Sequence, residues 1–228
     1  MNRFLPFLIL VIALVSCTEG SYERHESYFY PQRPDGQLLY ADQTQDTTLI
    51  YSLDSWTATK EGDWFSLTPE SFEVRPGVSI ATKMTFTTTP NNTGQGRVGR
   101  VTIHAYHTIS QMLYQTPWLN ITYPYAQYTE GEDQTFVTRK ATFRLTLLSS
   151  ATASKVRFTT YAENATLTSD AEWLIPEKKV FLAPNSYEVN LTVKPNKDKD
   201  ARTAHLTLTS AGISTPIIVE QAGDPDAR

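Results

Sequence analysis

The first hydrophobic feature of the chain is a block. Phe4 to Val15 is apolar except for Pro6, and it follows the basic start Met1-Asn2-Arg3. The block is shorter than the roughly 20 apolar residues that cross a bilayer core, so it reads as a secretory signal. From Leu49 onward the pattern changes to alternation. Leu49, Tyr51 and Leu53 alternate with other residues, as do Ile80, Thr82, Met84 and Phe86, and then Val101, Ile103 and Ala105. The same period recurs at Phe143, Leu145 and Leu147, at Val156 and Phe158, at Tyr187, Val189, Leu191 and Val193, and at Leu206 and Leu208. A period of two predicts strands with one buried face. Pro90 to Gly96 and Pro195 to Asp200 are rich in turn formers, and each is expected to close a hairpin. Many short, evenly spaced strands predict an all-β chain folded as sandwiches.

The alternating stretches form an internal repeat. Asp63-Trp64-Phe65 matches Glu172-Trp173-Leu174, and Thr57 and Thr59 match Thr166 and Thr168. Asn92 and Arg97 match Asn196 and Arg202, and Val101-Thr102-Ile103 matches Leu206-Thr207-Leu208. Each unit is expected to close on one more strand, Trp118 to Tyr123 in the first and Thr215 to Gln221 in the second. Thr116-Pro117 aligns with Thr215-Pro216, but the alternation beyond is out of step by one residue, as a bulge or slip would leave it.

Composition narrows the function classes. The chain has 228 residues, long enough for one large or two small domains. With 20 basic and 24 acidic residues it has no excess of positive charge, which argues against a nucleic-acid partner. Cys17 is the only cysteine, so no disulfide framework supports the fold. Leu14-Val15-Ser16-Cys17 resembles the lipobox of bacterial lipoproteins. That resemblance implies cleavage before Cys17, lipidation there and a membrane partner reached through the lipid. Residues 1–16 are then the signal peptide, and residues 17–46 a lipidated N-terminus and flexible tether. Within the tether, Tyr28-Phe29-Tyr30 is expected to pack on the first domain rather than meet a partner.

The second unit carries Asp170-Ala171-Glu172-Trp173-Leu174, Arg202-Thr203-Ala204-His205-Leu206-Thr207-Leu208 and Ile217-Ile218-Val219-Glu220-Gln221. These segments resemble the BACON domain, the "Bacteroidetes-associated carbohydrate-binding often N-terminal" module. The first unit resembles it through Trp56, Gly62-Asp63-Trp64, Leu67-Thr68-Pro69 and Arg97 to Ile103. It departs from the pattern in lacking the closing Gln at Thr122 or Tyr123, and in an aromatic insert from Tyr106 to Trp118. The resemblance implies two tandem immunoglobulin-like β-sandwiches, placed at residues 47–126 and 134–223. It also implies a Bacteroidetes source and an outer-membrane lipoprotein on the cell surface. Asp46-Thr47-Thr48 resembles the O-glycosylation sequon of such bacteria, which makes Thr47 a candidate glycan site.

No catalytic constellation is present, and no cofactor or metal ligand set is predicted. His104 and His107, three apart on one strand, would face opposite sides. There is no nucleophile elbow and no phosphate loop. Binding is the expected role. Sugar recognition wants exposed aromatic faces beside hydroxyl partners. Trp64 and Trp173 hold matching positions and are expected in the cores. Trp56 aligns with Ala165, which points to an exposed or module-specific role, and Trp118 is out of phase with Leu119, Ile121 and Tyr123, so it faces outward if that set is buried. Trp118 and Trp56, with Tyr114 and Tyr106, are the candidate contact surface for a polysaccharide or mucin glycan. The alternative for this aromatic end is a cover for the seam between the sandwiches. Two other functions stand beside glycan binding. One is a spacer that holds a protein partner and binds no sugar. The other is an adhesin or fimbrial accessory subunit that exchanges a strand with another chain.

Overall fold

The computed structural model describes residues 25–30, 36–74, 80–131 and 135–227. Cys17, the signal peptide and the start of the tether lie outside the described residues. The described chain is all β, in two sandwiches.

The first sandwich contains β1 (Ser27–Tyr30), β2 (Gln37–Leu39), β3 (Gln45–Ser52), β4 (Trp56–Glu61), β5 (Phe65–Thr68), β6 (Ser71–Phe72), β7 (Ile80–Thr88), β8 (Arg97–His104) and β9 (Thr108–Gln115). One sheet runs β1-β3-β7-β5 and the other β2-β9-β8-β4-β6. The second sandwich contains β10 (Asn120–Tyr123), β11 (Ala126–Thr129), β12 (Lys140–Leu147), β13 (Ala153–Thr159), β14 (Thr166–Ser169), β15 (Leu174–Pro176), β16 (Val180–Ala183), β17 (Ser186–Val193), β18 (Arg202–Ser210) and β19 (Ile213–Gln221). Its sheets run β10-β13-β17-β15, with β16 beside β17, and β11-β12-β19-β18-β14. In each sandwich an early strand lies parallel to the last one, β2 on β9 and β12 on β19, while the other pairings are antiparallel. Two sheets face to face in this order are an immunoglobulin-like arrangement.

Most of the predicted inward sets are inward. Met84, Phe86, Val101 and Ile103 fill the first core, and Phe143, Leu145, Val156, Phe158, Val189, Leu191, Leu206 and Leu208 the second. Strand β3 has the opposite phase from the one predicted. Thr48, Ile50 and Ser52 are buried, while Leu49 and Tyr51 are half-buried on the outer face. There Tyr51 stacks on Tyr28 at 4.7 Å across the β1–β3 pair. Cross-strand stacking puts apolar residues on an outer face without violating the period.

Four further expectations are corrected. First, the tether is shorter than residues 17–46, because β1 and β2 are built into the first sandwich. Phe29 and Leu39 are buried in its core, as the packing of Tyr28-Phe29-Tyr30 anticipates. Second, the loops at 90–96 and 195–200 are not hairpins. They carry the chain from one sheet to the other, from β7 to β8 and from β17 to β18. Third, residues 118–126 do not close the first unit. Strand β10 pairs with β13 and β11 with β12, so the second sandwich starts well before residue 134.

Fourth, the closing strand of the first unit is β9, inside the segment read as an insert. Arg97 faces Gln115 across β8–β9 as Arg202 faces Gln221 across β18–β19. The missing Gln is therefore Gln115, and the step of one residue came from comparing the wrong strands. The inward face of β9 explains the error. It is Ile109, Gln111, Leu113 and Gln115, so two glutamines sit where alternation expects apolar residues.

Candidate functional site: an aromatic hollow at the seam

The repeated polar residues belong to the frame. Gln115 and Gln221 are fully buried. Gln115 Nε2 donates to the Gln43 and Thr89 carbonyls at 3.2 Å each, while Oε1 accepts from Arg97 at 3.3 Å. Gln221 Nε2 donates to the Leu148 and Ser149 carbonyls at 3.2 and 3.1 Å, and its Oε1 accepts from Arg202 Nε at 2.9 Å. Beside each lies a buried asparagine. Asn91 Nδ2 bonds the Gln95 and Thr116 carbonyls at 2.8 and 3.1 Å, and Asn196 Nδ2 those of Asp200 and Ala222 at 2.9 and 3.0 Å. Asn91, not Asn92, is therefore the counterpart of Asn196. These amides satisfy loop carbonyls that would otherwise be buried without donors.

The paired tryptophans are core-edge residues rather than core residues. Trp64 and Trp173 are half-buried against their sandwiches. Trp64 Nε1 donates to the Val98 carbonyl at 3.2 Å, and the Arg202 guanidinium lies 4.4 Å over the Trp173 ring.

The four candidate contact residues do not form one surface. Trp56 is 3 % exposed. It stacks on Phe72 at 6.3 Å, across a pairing of β4 with β6. Ala165 also points inward at 5 % exposure, so the aligned pair differs in size and not in direction. Tyr106 is exposed in the β8–β9 turn and stacks on His25 at 3.7 Å, while His25 Nδ1 lies 2.8 Å from Asp54. Tyr114 is half-buried and packs on Phe136 of the second sandwich at 4.7 Å. Trp118 is 7 % exposed, against the prediction that it faces out. It lies in the bend before β10, outside the alternating strand, where Tyr40 and Ala41 of the first sandwich join it and Leu119 in one buried cluster.

This contact belongs to the seam. Tyr40 and Ala41, from the loop after β2, pack into the core of the second sandwich with Trp118 and Leu119. Ala41 N donates to the Trp118 carbonyl at 3.2 Å. Asp42 follows, only 2 % exposed. Its Oδ2 accepts from Ser210 Oγ at 2.7 Å, Thr160 Oγ1 at 2.8 Å and Tyr161 N at 3.0 Å, all in the second sandwich. On another part of the seam, Gly96 N donates to the Val137 carbonyl at 3.0 Å. A Cβ on Gly96 would lie 2.8 Å from the Phe136 carbonyl oxygen, so glycine is needed for that approach. Trp118 and Tyr114 therefore both stand at the seam between the sandwiches.

Beside the seam lies a hollow of about 290 Å³. Tyr40 of the first sandwich and Trp118, Asn120, Thr122, Tyr125 and Tyr128 of the second line it. Trp118 and Tyr128 are 6.2 Å apart and tilted by 48°. Tyr125 and Tyr128 are 79 % and 58 % exposed, so both rings reach solvent at the mouth of the hollow. Arg139 lies 5.9 Å over the Tyr128 ring and is held 2.7 Å from Glu130. Burial, then the neighbouring Tyr128, raises the Tyr40 hydroxyl above its ordinary range. The arrangement offers rings for apolar C–H faces and neutral hydroxyl and amide groups for hydrogen bonds. Chain order hid it. Tyr125 and Tyr128 stand out in the sequence, but Tyr40 lies far away and joins them only through docking.

Among the described residues no group of side chains has metal-binding geometry. His104 ends β8 and bonds Thr59 at 3.0 Å, whereas His107 lies in the turn beyond it.

Comparison with known proteins bears on both units. The BACON family model, described as "Putative binding domain, N-terminal", matches residues 54–115 and 162–222. The first match ends at Gln115, where β9 ends. No curated protein matches the chain. Among solved structures, a Bacteroides ovatus GH5 xyloglucanase in complex with a XXXG heptasaccharide is 17% identical over 40% of this chain and 19% of its own, with a TM-score of 0.34. An endo-fucoidan hydrolase from glycoside hydrolase family 107 is 8% identical over 87% of this chain and 34% of its own, with a TM-score of 0.29. A tandem pair of titin immunoglobulin domains is 6% identical over 87% of this chain and 96% of its own, with a TM-score of 0.26. This chain thus spans about a fifth of the xyloglucanase and a third of the fucoidan hydrolase. At these scores the structural likenesses carry no argument about function.

Proposed function

The chain belongs to the BACON family, and from that premise we propose that it is a non-catalytic, glycan-binding lipoprotein of the cell envelope. The carrying observation is the hollow at the seam, where Tyr125 and Tyr128 expose their rings beside Trp118 and Tyr40. A sugar ring stacked there displaces water from apolar faces and keeps hydroxyl partners at its rim. The lipobox-like segment ending at Cys17 supports anchoring in the outer membrane with the sandwiches on the cell surface. Two or more acyl chains on Cys17 would make the attachment stable. Thr47 is exposed on β3, so a glycan there would not disturb the core.

The test is native affinity electrophoresis of a soluble form beginning at Thr18, in gels containing mucin, host glycans or plant polysaccharides. The expected result is retardation by a glycan, with about tenfold weaker binding after Tyr125→Ala or Tyr128→Ala, the effect of removing one stacked ring. Absence of retardation in every gel would refute the proposal. Lipidation is tested separately. Cys17→Ser should move the protein from the membrane fraction to the soluble one, and unchanged fractionation would count against the anchor.

The seam favours a second reading. A buried carboxylate bonded across two sandwiches stiffens the pair, as a spacer requires. A spacer predicts no glycan binding and capture of a protein partner instead.

A further inference from the structure

We infer that the seam hollow takes an uncharged saccharide and discriminates against sulfated and uronate-bearing chains. This rests on reading the hollow as a glycan site. Among the described residues that line it there is no Lys, Arg or His, and no Asp or Glu. Its polar groups are the hydroxyls of Tyr40, Thr122, Tyr125 and Tyr128 and the amide of Asn120. These suit sugar hydroxyls, which both donate and accept.

An anionic sugar fares worse there for three reasons. A sulfate or carboxylate entering the hollow sheds water and gains no charged partner, which is costly for an ion. Aromatic faces carry negative quadrupole charge, so an anion over them is repelled where a C–H face is attracted. The guanidinium that touches a lining ring, Arg139 on Tyr128, is not itself part of the hollow's lining, and its charge is balanced by Glu130 at 2.7 Å. The formal charge of the whole chain, −4, adds a weak long-range repulsion.

The experiment compares neutral polysaccharides (xyloglucan, galactomannan, β-glucan) with acidic ones (polygalacturonate, chondroitin sulfate, fucoidan), at low and high salt, using the soluble form from Thr18. The expected result is retardation by at least one neutral chain. It should be unchanged by salt, because no ion pair is made, and reduced about tenfold by Tyr125→Ala, as removal of one ring predicts. Tyr125 is so exposed that this substitution leaves the fold intact. Retardation by acidic chains alone, salt-sensitive and lost in Tyr125→Ala, would overturn the inference while leaving the hollow a glycan site. Retardation that survives the double substitution of Tyr125 and Tyr128 by Ala would place sugar binding elsewhere and overturn both. No retardation by any chain would overturn the glycan reading itself.

Discussion

The two sandwiches share a frame and differ in how they fill it. Each holds an Arg–Gln pair at its last hairpin and an Asn that ties the preceding loop to the end of the last strand. The first fills the space beneath β4 with Trp56 and backs it with Phe72 on the extra strand β6. The second has Ala165 there, a strand β16 that pairs with β17 rather than with β14, and a hollow of about 200 Å³ bounded by Phe158, Ala165, Leu167, Lys179 and Val189. Lys179 closes it from outside, donating to the Glu163 and Ala165 carbonyls at 3.0 and 3.2 Å. The ends differ as well. The loop after β2 carries Tyr40, Ala41 and Asp42 into the second sandwich, whereas the loop after β12 presents Leu148, which is 74 % exposed. What is repeated holds the fold, and what is not repeated makes the seam and the candidate site.

Substitutions can break that comparison, and the largest effect is expected in the first core. Trp56→Ala should destabilise by about 3–5 kcal/mol, since no neighbour can fill the space left by an indole. Denaturant unfolding followed by tryptophan fluorescence reads it, and a loss below about 1 kcal/mol would mean that β4 carries little of the core. Next come the matched amides. Gln115→Ala and Gln221→Ala should each cost about 2–3 kcal/mol, because each strands buried loop carbonyls and part of a guanidinium. Unequal costs would show that the two networks are alike in shape only.

Asp42→Ala should cost about 1–3 kcal/mol by leaving the Ser210, Thr160 and Tyr161 donors unsatisfied at the seam. Calorimetry should then resolve two transitions, and small-angle scattering should show a larger radius. A single transition with unchanged scattering would mean that the aromatic packing alone holds the sandwiches. Filling the second hollow acts in the opposite direction. Ala165→Val should stabilise by up to about 1 kcal/mol, whereas a loss would show that the hollow cannot admit another methyl group.

The smallest expected effect is electrostatic. In the second sandwich, the His205 backbone N–H and then its imidazole lower the Asp170 carboxyl. The Arg157 guanidinium, followed by Lys155, lowers that of Glu188. Both are depressed on folding, so their stabilisation is present above the ordinary carboxylate range of about 4 and is lost as pH falls through the lowered values. These groups are on the surface, so the change is small. Acid unfolding of Asp170→Asn and Glu188→Gln should show a shallower pH dependence than the parent. At the seam the sign reverses. Burial comes first in raising Tyr161, with Asp46 and Asp42 adding to it, and burial also raises Tyr40. Their contribution is full below about pH 10 and is lost as pH rises through the raised values, so alkali should loosen the seam before it unfolds the cores.

The alternating stretches and the short motifs were enough to predict two sandwiches and to pair both units with their family, though not to set their bounds. Strand β9 escaped because Gln111 and Gln115 point inward, and a buried amide looks like a surface residue until its partners are known. Trp56 misled because a size difference between aligned residues says nothing about direction. Trp118 misled because it precedes β10, so the alternation of that strand does not set its direction, and Tyr40 and Ala41 pack with it there. The periodicity, the repeat and the Cys17 segment are local properties, set by neighbours in the chain, and they are readable from the sequence alone. The docking of Tyr40 and Asp42 onto a sandwich some eighty to a hundred and seventy residues further along the chain is a tertiary event. That docking decided which rings at the seam are covered, which remain open, and that the candidate site needs both sandwiches, because burial there depends on what lies across the gap and not along the chain.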